Sequence, residues 1–264
     1  MVDPFHTVGW KKFPFDHSVM NWVLQAMPSA LRAVQDPQLR AQWLRCGQTW
    51  FVGVNALEND AMGRVENGPA LRGGALDFIR TTLGFDQALD RAQVSVVWPG
   101  YPRRDAGESE ASFRFRQDRD AAHVDGVKPF TADRRRHVGE CHSYLLGVPL
   151  NETAPGASPM VAWEGSHTVM RAALRAALKG VAPEEAGKVD VTQAYSEARR
   201  RVFETCRRVT LHARPGEAYL LHRLTVHGVS PWQAGAQAPG GEGRMIAYFR
   251  PPMAGGAKEW LRAP

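Results

Sequence analysis

Ala122-His123-Val124-Asp125-Gly126 places a His and an Asp two residues apart, and His227 follows roughly a hundred residues later in Leu224-Thr225-Val226-His227-Gly228-Val229. Residues i and i+2 of a strand point to the same face. An imidazole and a carboxylate at this spacing therefore reach one ion without distorting the backbone. A distant His on a neighbouring strand completes one face of an octahedron and leaves three positions for an organic co-substrate and oxygen. This is the ligand spacing of a mononuclear non-haem iron site. An H-x-D triplet alone recurs by chance, so its weight comes from its surroundings.

Those surroundings read as short strands separated by turns. Ser112-Phe113-Arg114-Phe115-Arg116 alternates apolar and polar residues as a half-buried strand would, and leads into the H-x-D segment. Val94–Trp98, His142–Leu150, Met160–Trp163, Val209–His212, Ala218–Leu221 and Arg244–Arg250 read as further strands, punctuated by Pro99-Gly100, Pro215-Gly216-Glu217 and a glycine-rich loop over 233–243. A polar loop with Lys128 and the triplet Arg134-Arg135-Arg136 follows Gly126. Helical patterns appear from Ser166 or Thr168 to Lys179 and over Val191–Arg207.

The first ninety residues look different. After a strand-like alternation over 6–15, Asp16 is placed to cap a helix whose apolar face is Val19, Trp22, Val23 and Met27. Pro28 is expected to break it, with a short helix through Leu31 and Val34 beyond. Further helices are predicted over Pro37–Leu44 and 75–83, and Trp50–Val54 reads as a buried strand with its aromatics in the core. The expected fold is mainly β with helical additions. A helix-rich N-terminal cover (1–90) precedes a barrel or jelly-roll core (91–252) and a C-terminal tail (253–264), all in one domain.

At 264 residues and 44% apolar content, the chain has enough material for a substantial core. The net charge of +6 comes mostly from Arg interleaved with Asp and Glu, and no nucleic-acid-binding motif accompanies it. A modest positive field that attracts small anions is the better reading. No apolar run is long enough for a transmembrane helix, and the N-terminus lacks the features of a signal peptide. The three cysteines, Cys46, Cys141 and Cys206, form neither a disulfide framework nor a C-x-x-C site, so a reducing cytoplasm is the expected compartment.

Several motifs then occur in a telling order. His123-Val124-Asp125 is followed by Trp163-Glu164-Gly165-Ser166-His167, by Pro215-Gly216-Glu217-Ala218-Tyr219-Leu220-Leu221, by His227-Gly228-Val229-Ser230, and by Arg244 opening a strand. In this order, over residues 113–252, the chain resembles the phytanoyl-CoA dioxygenase-like enzymes among the iron(II)/2-oxoglutarate-dependent oxygenases. The resemblance implies a double-stranded β-helix, a cupin-like jelly roll, that holds iron(II) through His123, Asp125 and His227. It makes 2-oxoglutarate the co-substrate, with Arg244 clamping its far carboxylate, and molecular oxygen the oxidant. It further implies hydroxylation of a small organic molecule, possibly an anion, with release of succinate and carbon dioxide. Related iron halogenases lack the acidic ligand, so Asp125 points away from halide transfer.

The chain departs from the family pattern in two places. Where the family often has a small hydroxyl residue two positions after the distal His, this chain has Val229, with Ser230 one later. The interval from His227 to Arg244 is also long, and Arg250, of the same strand parity, is a second candidate for the clamp. His142 and Tyr144 share a strand face and are candidates to touch the co-substrate. Trp163, Arg134 and Arg136 are candidates for the substrate. Trp232 is a lesser candidate for the pocket wall. His222 falls on the opposite face from His227 by parity, which assigns it a structural role, and His167 reads as a packing or hydrogen-bonding residue. Two other readings compete: a catalytically silent cupin-like metal- or ligand-binding protein, and a metal-dependent hydrolase or isomerase without an oxo-acid clamp. The substrate and the oligomeric state are left open by the sequence.

Overall fold

The structure is a computed structural model and describes residues 3–129 and 134–263. In chain order the described elements begin with α1 (Phe5–Val8), β1 (Trp10–Phe13), α2 (His17–Gln35), α3 (Pro37–Trp43), β2 (Leu44–Arg45), β3 (Trp50–Phe51), α4 (Gly74–Thr81) and β4 (Gln93–Val97). Next come α5 (Glu110–Asp118), β5 (Val127–Pro129), β6 (Arg136–Val138), β7 (Tyr144–Pro149), β8 (Met160–Trp163) and α6 (Ser166–Ala177). The chain closes with α7 (Thr192–Thr205), β9 (Arg208–Leu211), β10 (Ala218–His222), β11 (His227–Val229), β12 (Arg244–Phe249) and α8 (Gly256–Arg262).

The strands form an antiparallel seven-stranded sheet, β1-β10-β7-β12-β4-β3-β2, and a three-stranded sheet, β11-β8-β9, with β5 and β6 pairing as a separate hairpin. Strand parity sorts the large sheet into two faces. Met245, Ala247 and Phe249 of β12 join Leu146 and Val148 of β7 in a core shared with Val19, Trp22 and Val23 of α2. The alternate residues Ile246 and Tyr248, with Leu145 and Leu221, pack instead against Met160, Ala162 and Leu211 of the small sheet. Two antiparallel sheets thus face each other, and the larger carries the N-terminal helices on its back. A further core gathers Met170, Leu174, Tyr195 and Val202 of α6 and α7 with Trp163 and Trp260.

Several expectations are corrected. Helix α2 runs through Pro28 without a break. Pro28 lies on the exposed side, as does Leu24 one turn before it, so the carbonyl left without an amide partner faces water. Ser112–Arg116 is helical, within α5, because Ser109 caps the helix by accepting the Ser112 amide at 3.2 Å and Glu110 pairs with Arg114 one turn on. The segment expected as a loop after Gly126 pairs as the β5–β6 hairpin, and the C-terminal residues form α8, with Trp260 fully buried. The Asp16 cap is present, its carboxylate accepting the Ser18 amide at 2.7 Å.

His167, at the start of α6, is buried. Its Nε2 donates to the His6 carbonyl at 3.1 Å and its ring lies against His222, with centroids 4.7 Å apart. Burial pushes its pKa down to about 4. A His depressed in the folded state stabilises fully above its unfolded pKa near 6.5, and the contribution fades as pH falls toward 4. Lowering the pH from 7.5 to 5 should therefore cost about 2 kcal/mol through this residue. Urea unfolding at the two pH values tests it: His167→Gln should lose correspondingly less stability than the wild type, and equal losses would refute the assignment.

Candidate metal centre

His123 and His227 meet through their backbones. The His123 amide donates to the His227 carbonyl at 2.8 Å, and the His227 amide returns a bond to the His123 carbonyl at 2.9 Å. The pair is an isolated antiparallel bridge, not part of a continuous strand through H-x-D. Directly opposed residues of such a bridge project to the same side, and the two rings lie with centroids 4.7 Å apart. The turn after His123 brings Asp125 in, Oδ1 lying 3.3 Å from His123 Nε2 and Oδ2 3.8 Å from His227 Nε2. One ligand atom from each of the three residues lies within 4.8 Å of the others, and this is the group capable of holding an ion among the described residues.

Protonation suits metal binding. His123 Nδ1 sits 2.9 Å from the Ala121 carbonyl and His227 Nδ1 2.9 Å from the Thr225 carbonyl. A carbonyl only accepts, so each Nδ1 carries the proton and each Nε2 offers its lone pair to the centre. Burial pushes the His227 pKa down to about 4, with His123 adding to the effect, so the imidazole is neutral near pH 7. Burial, the largest single influence, works the other way on Asp125, but the Arg250 guanidinium, 3.3 Å from Oδ2, together with His123 and His227 outweighs it and holds the carboxyl well below its ordinary range. The donor set is therefore two imidazole Nε2 atoms and one carboxylate, hard-to-intermediate ligands suited to a divalent first-row ion.

A cavity of about 530 Å³ opens over these residues. Its inner wall includes Gln93, Ser95, Leu145, Met160, Val229 and Tyr248, and its outer wall Trp43, Trp50, Lys128, Arg136 and Glu140. Arg244 stands behind Tyr248 on the same face of β12, with Nη1 3.4 Å from the Tyr248 hydroxyl. It is 4% exposed, and its Nε and Nη2 have no hydrogen-bond partner. A buried guanidinium with free donors is costly unless a ligand completes it. Arg250 is already engaged with Asp125, while its amide donates to Asp90 at 2.8 Å.

The other sequence candidates fall in different places. Arg136 lines the cavity, whereas Arg134 is exposed on the hairpin. Tyr144 faces away from the cavity, because its neighbour Leu145 takes the inward parity; Tyr144 packs instead against Phe85. His142 sits behind Arg250, its Nδ1 donating to the Arg250 carbonyl at 2.9 Å. Ser230 contacts Arg208 at 3.4 Å, and Trp163 packs against Phe203 in the helical core, so neither lines the cavity. Trp232 is also outside the lining. His222 and His227 belong to different sheets, so strand parity does not relate them; His222 instead meets Arg171 at 2.7 Å. Trp50, expected in the core, and Trp43 both pack against core clusters and also line the cavity: an aromatic residue near a strand carries the same signal in either role.

One support had no sequence signal. Asp120 and Ala121, just before the first ligand, both adopt positive φ, 54° and 53°. This sparsely populated backbone needs external restraint. Arg208, 88 residues away, supplies it with a fork to Asp120 at 2.8 and 2.7 Å, and the Val229 amide donates to the Asp120 carbonyl at 3.0 Å. The turn carries the Ala121 carbonyl that orients His123. Gly228 is required opposite it, since a Cβ there would lie 2.1 Å from the Asp120 carbonyl oxygen.

No protein-family model matches the chain, and no curated protein matches it. Among solved structures it is similar to the non-haem alpha-ketoglutarate-dependent carbocyclase SnoK from nogalamycin biosynthesis, at 12% identity over 98% of this chain and 87% of that one, with a TM-score of 0.46. EctD from S. alaskensis with bound Fe aligns at 16% identity over 95% and 75%, TM-score 0.48. The epimerase SnoN in complex with Fe3+, alpha ketoglutarate and nogalamycin RO aligns at 13% identity over 95% and 82%, TM-score 0.49. Likenesses this remote leave the chemistry to be read from the site itself.

Loosening the Asp120 turn should weaken metal binding without unfolding the protein. Asp120→Asn and Arg208→Gln should each lower cobalt(II) affinity by roughly tenfold to a hundredfold, measured by titrating the visible d–d bands, with far-ultraviolet circular dichroism unchanged. Wild-type affinity in both variants would show that the turn does not position His123.

Proposed function

We propose that the protein is an iron(II)- and 2-oxoglutarate-dependent oxygenase of the phytanoyl-CoA dioxygenase-like type, built on a double-stranded β-helix. The observation that carries this reading is the pairing of two features: the His123, Asp125 and His227 group in the cavity, and the buried Arg244 with unpartnered donors beside Tyr248, which lines that cavity. A silent metal-binding protein or a hydrolase has no use for that second feature. In the proposed enzyme His123 Nε2, His227 Nε2 and one Asp125 oxygen hold iron(II). Arg244 receives the far carboxylate of 2-oxoglutarate in a two-point, charge-assisted contact, and the Tyr248 hydroxyl, beside it, is a further donor.

When bound, iron(II) and 2-oxoglutarate supply the oxidising chemistry, with molecular oxygen as oxidant and succinate and carbon dioxide as products. The chain supplies the rest. Arg250 keeps Asp125 ionised and engages one of its two oxygens, leaving the other for the ion. The Ala121 and Thr225 carbonyls fix the imidazole tautomers. Leu145, Met160 and Val229 present apolar surface around the site and limit water. With Asp125 in place as a ligand, hydroxylation or another oxidation without halide transfer is the reaction the donor set supports. The substrate is a small molecule. No described helix is long and apolar enough to cross a membrane, and a cytoplasmic enzyme remains part of the proposal.

Anaerobic addition of iron(II) and 2-oxoglutarate should give the weak visible charge-transfer band of the chelate, and air should then yield succinate. Arg244→Ala should weaken 2-oxoglutarate by roughly tenfold to a hundredfold, the loss of about 1.5–3 kcal/mol expected for a charge-assisted pair. Absence of the band would end the proposal. A normal 2-oxoglutarate affinity in Arg244→Ala would remove Arg244 as the clamp and favour the hydrolase reading.

A further inference from the structure

The cavity is lined by three cations, and two of them are balanced. Lys128 pairs with Glu140, and Arg250 pairs with Asp125. Arg136 lines the same cavity and has no carboxylate partner among the described residues. Its charged neighbours, Arg134 and Arg199, share its sign and are themselves without a carboxylate partner among the described residues. The local field is therefore positive.

Arg136 is also held in place. Its amide donates to Thr192 Oγ1 at 2.7 Å and its Nη1 to the Val127 carbonyl at 3.1 Å, while the guanidinium lies 4.8 Å from the centroid of Tyr195. The Tyr195 hydroxyl accepts the Val124 amide at 3.1 Å, which ties this platform to the residue between the two H-x-D ligands. A half-buried cation, fixed by stacking and left without a counter-charge, is arranged to meet an anion. The outer wall also contains Trp43, Trp50, Val52 and Val54. Trp50 Nε1 is taken by Ser95 Oγ at 3.0 Å, so its ring offers the cavity apolar surface alone.

We propose that the substrate is a low-molecular-mass organic anion with a flat or apolar body, its anionic group bound by Arg136 and its body resting on Trp43 and Trp50. This rests on the oxygenase reading above, in which 2-oxoglutarate takes Arg244 and leaves Arg136 free for the second organic molecule. A cavity of about 530 Å³ lies within the ~300–1,000 Å³ range of small-ligand sites, where apolar walls give affinity and a few polar groups give orientation.

The test uses trans-cinnamate and its neutral near-isostere trans-cinnamamide as probes. Calorimetric titrations are run anaerobically on protein loaded with iron(II) and 2-oxoglutarate, the visible chelate band confirming loading. The wild type should bind cinnamate about tenfold or more tightly than cinnamamide, as one charge-assisted contact predicts. Arg136→Gln should erase that preference while leaving cinnamamide affinity unchanged, and Arg136→Lys should restore part of it. Equal binding of the two probes by the wild type, no binding of either, or a preference that survives Arg136→Gln would overturn the proposal. So would an equal loss of both probes in Arg136→Gln, which would make the residue a support of the hairpin. A missing chelate band overturns the oxygenase reading and this proposal together; a normal band without anion preference overturns this proposal alone.

Discussion

Two backbone hydrogen bonds between His123 and His227 join segments about a hundred residues apart, and the candidate centre depends on them. Side chains alone could not set the two imidazoles at a fixed distance, because each has its own rotamer freedom. The reciprocal bridge fixes the two Cα positions relative to each other, and the carbonyls of Ala121 and Thr225 then fix each ring. Everything nearby serves that bridge. The small sheet delivers His227 through its pairing with Ala162, and the Asp120 turn delivers His123. Gly228 leaves the room that the turn needs.

Electrostatics in the lumen follows from the same arrangement. A buried carboxylate would ordinarily gain a proton, which would spoil it as a ligand. Arg250, pairing directly with Asp125, prevents this together with His123 and His227, and so it is engaged before any ligand arrives. Arg244, six residues earlier at the start of β12, makes no such pair. Strand parity gives the two arginines equal standing, and only their partners separate them. In the proposed oxygenase the engaged cation supports Asp125, while the one with free donors is the better clamp.

The order of the motifs, the mainly antiparallel β content and the helical N-terminal third were legible in the sequence because each rests on local periodicity or on short-range spacing. Met160–Trp163 is recovered residue for residue. Legibility failed where a cap, a solvent-facing turn or a distant partner overrides the apparent pattern. Phe113 and Phe115 alternate like strand residues, yet the Ser109 cap and the Glu110–Arg114 pair close a helix around them. Pro28 looks like a stop, but solvent satisfies the carbonyl it strands. At the site, the grouping of His123, His227 and Asp125 follows from spacing, whereas the Arg208 fork on Asp120 spans 88 residues and leaves no trace in any window of sequence. Tyr144 illustrates a one-residue ambiguity: shifting the inward parity of β7 by one exchanges Leu145 for Tyr144 at the cavity wall.

In the proposed enzyme the trio Arg244, Arg250 and Arg136 would let one site hold two organic molecules without confusing them. All three are guanidiniums with similar intrinsic affinity for a carboxylate, so selectivity must come from depth and prior engagement. Arg244 is nearly inaccessible and suits a ligand whose other end can reach the metal group. Arg250 is spent on Asp125. Arg136 stands toward the outer wall, stacked on Tyr195, in the cavity that Trp43 and Trp50 also line. A dicarboxylate long enough to bridge Arg244 and the His123–Asp125–His227 group gains two contacts in the interior, against one at Arg136. A monoanion with an apolar body gains more at Arg136, where Trp43 and Trp50 remove its body from water. The placement of charge along the cavity, rather than any difference in residue type, would then sort co-substrate from substrate.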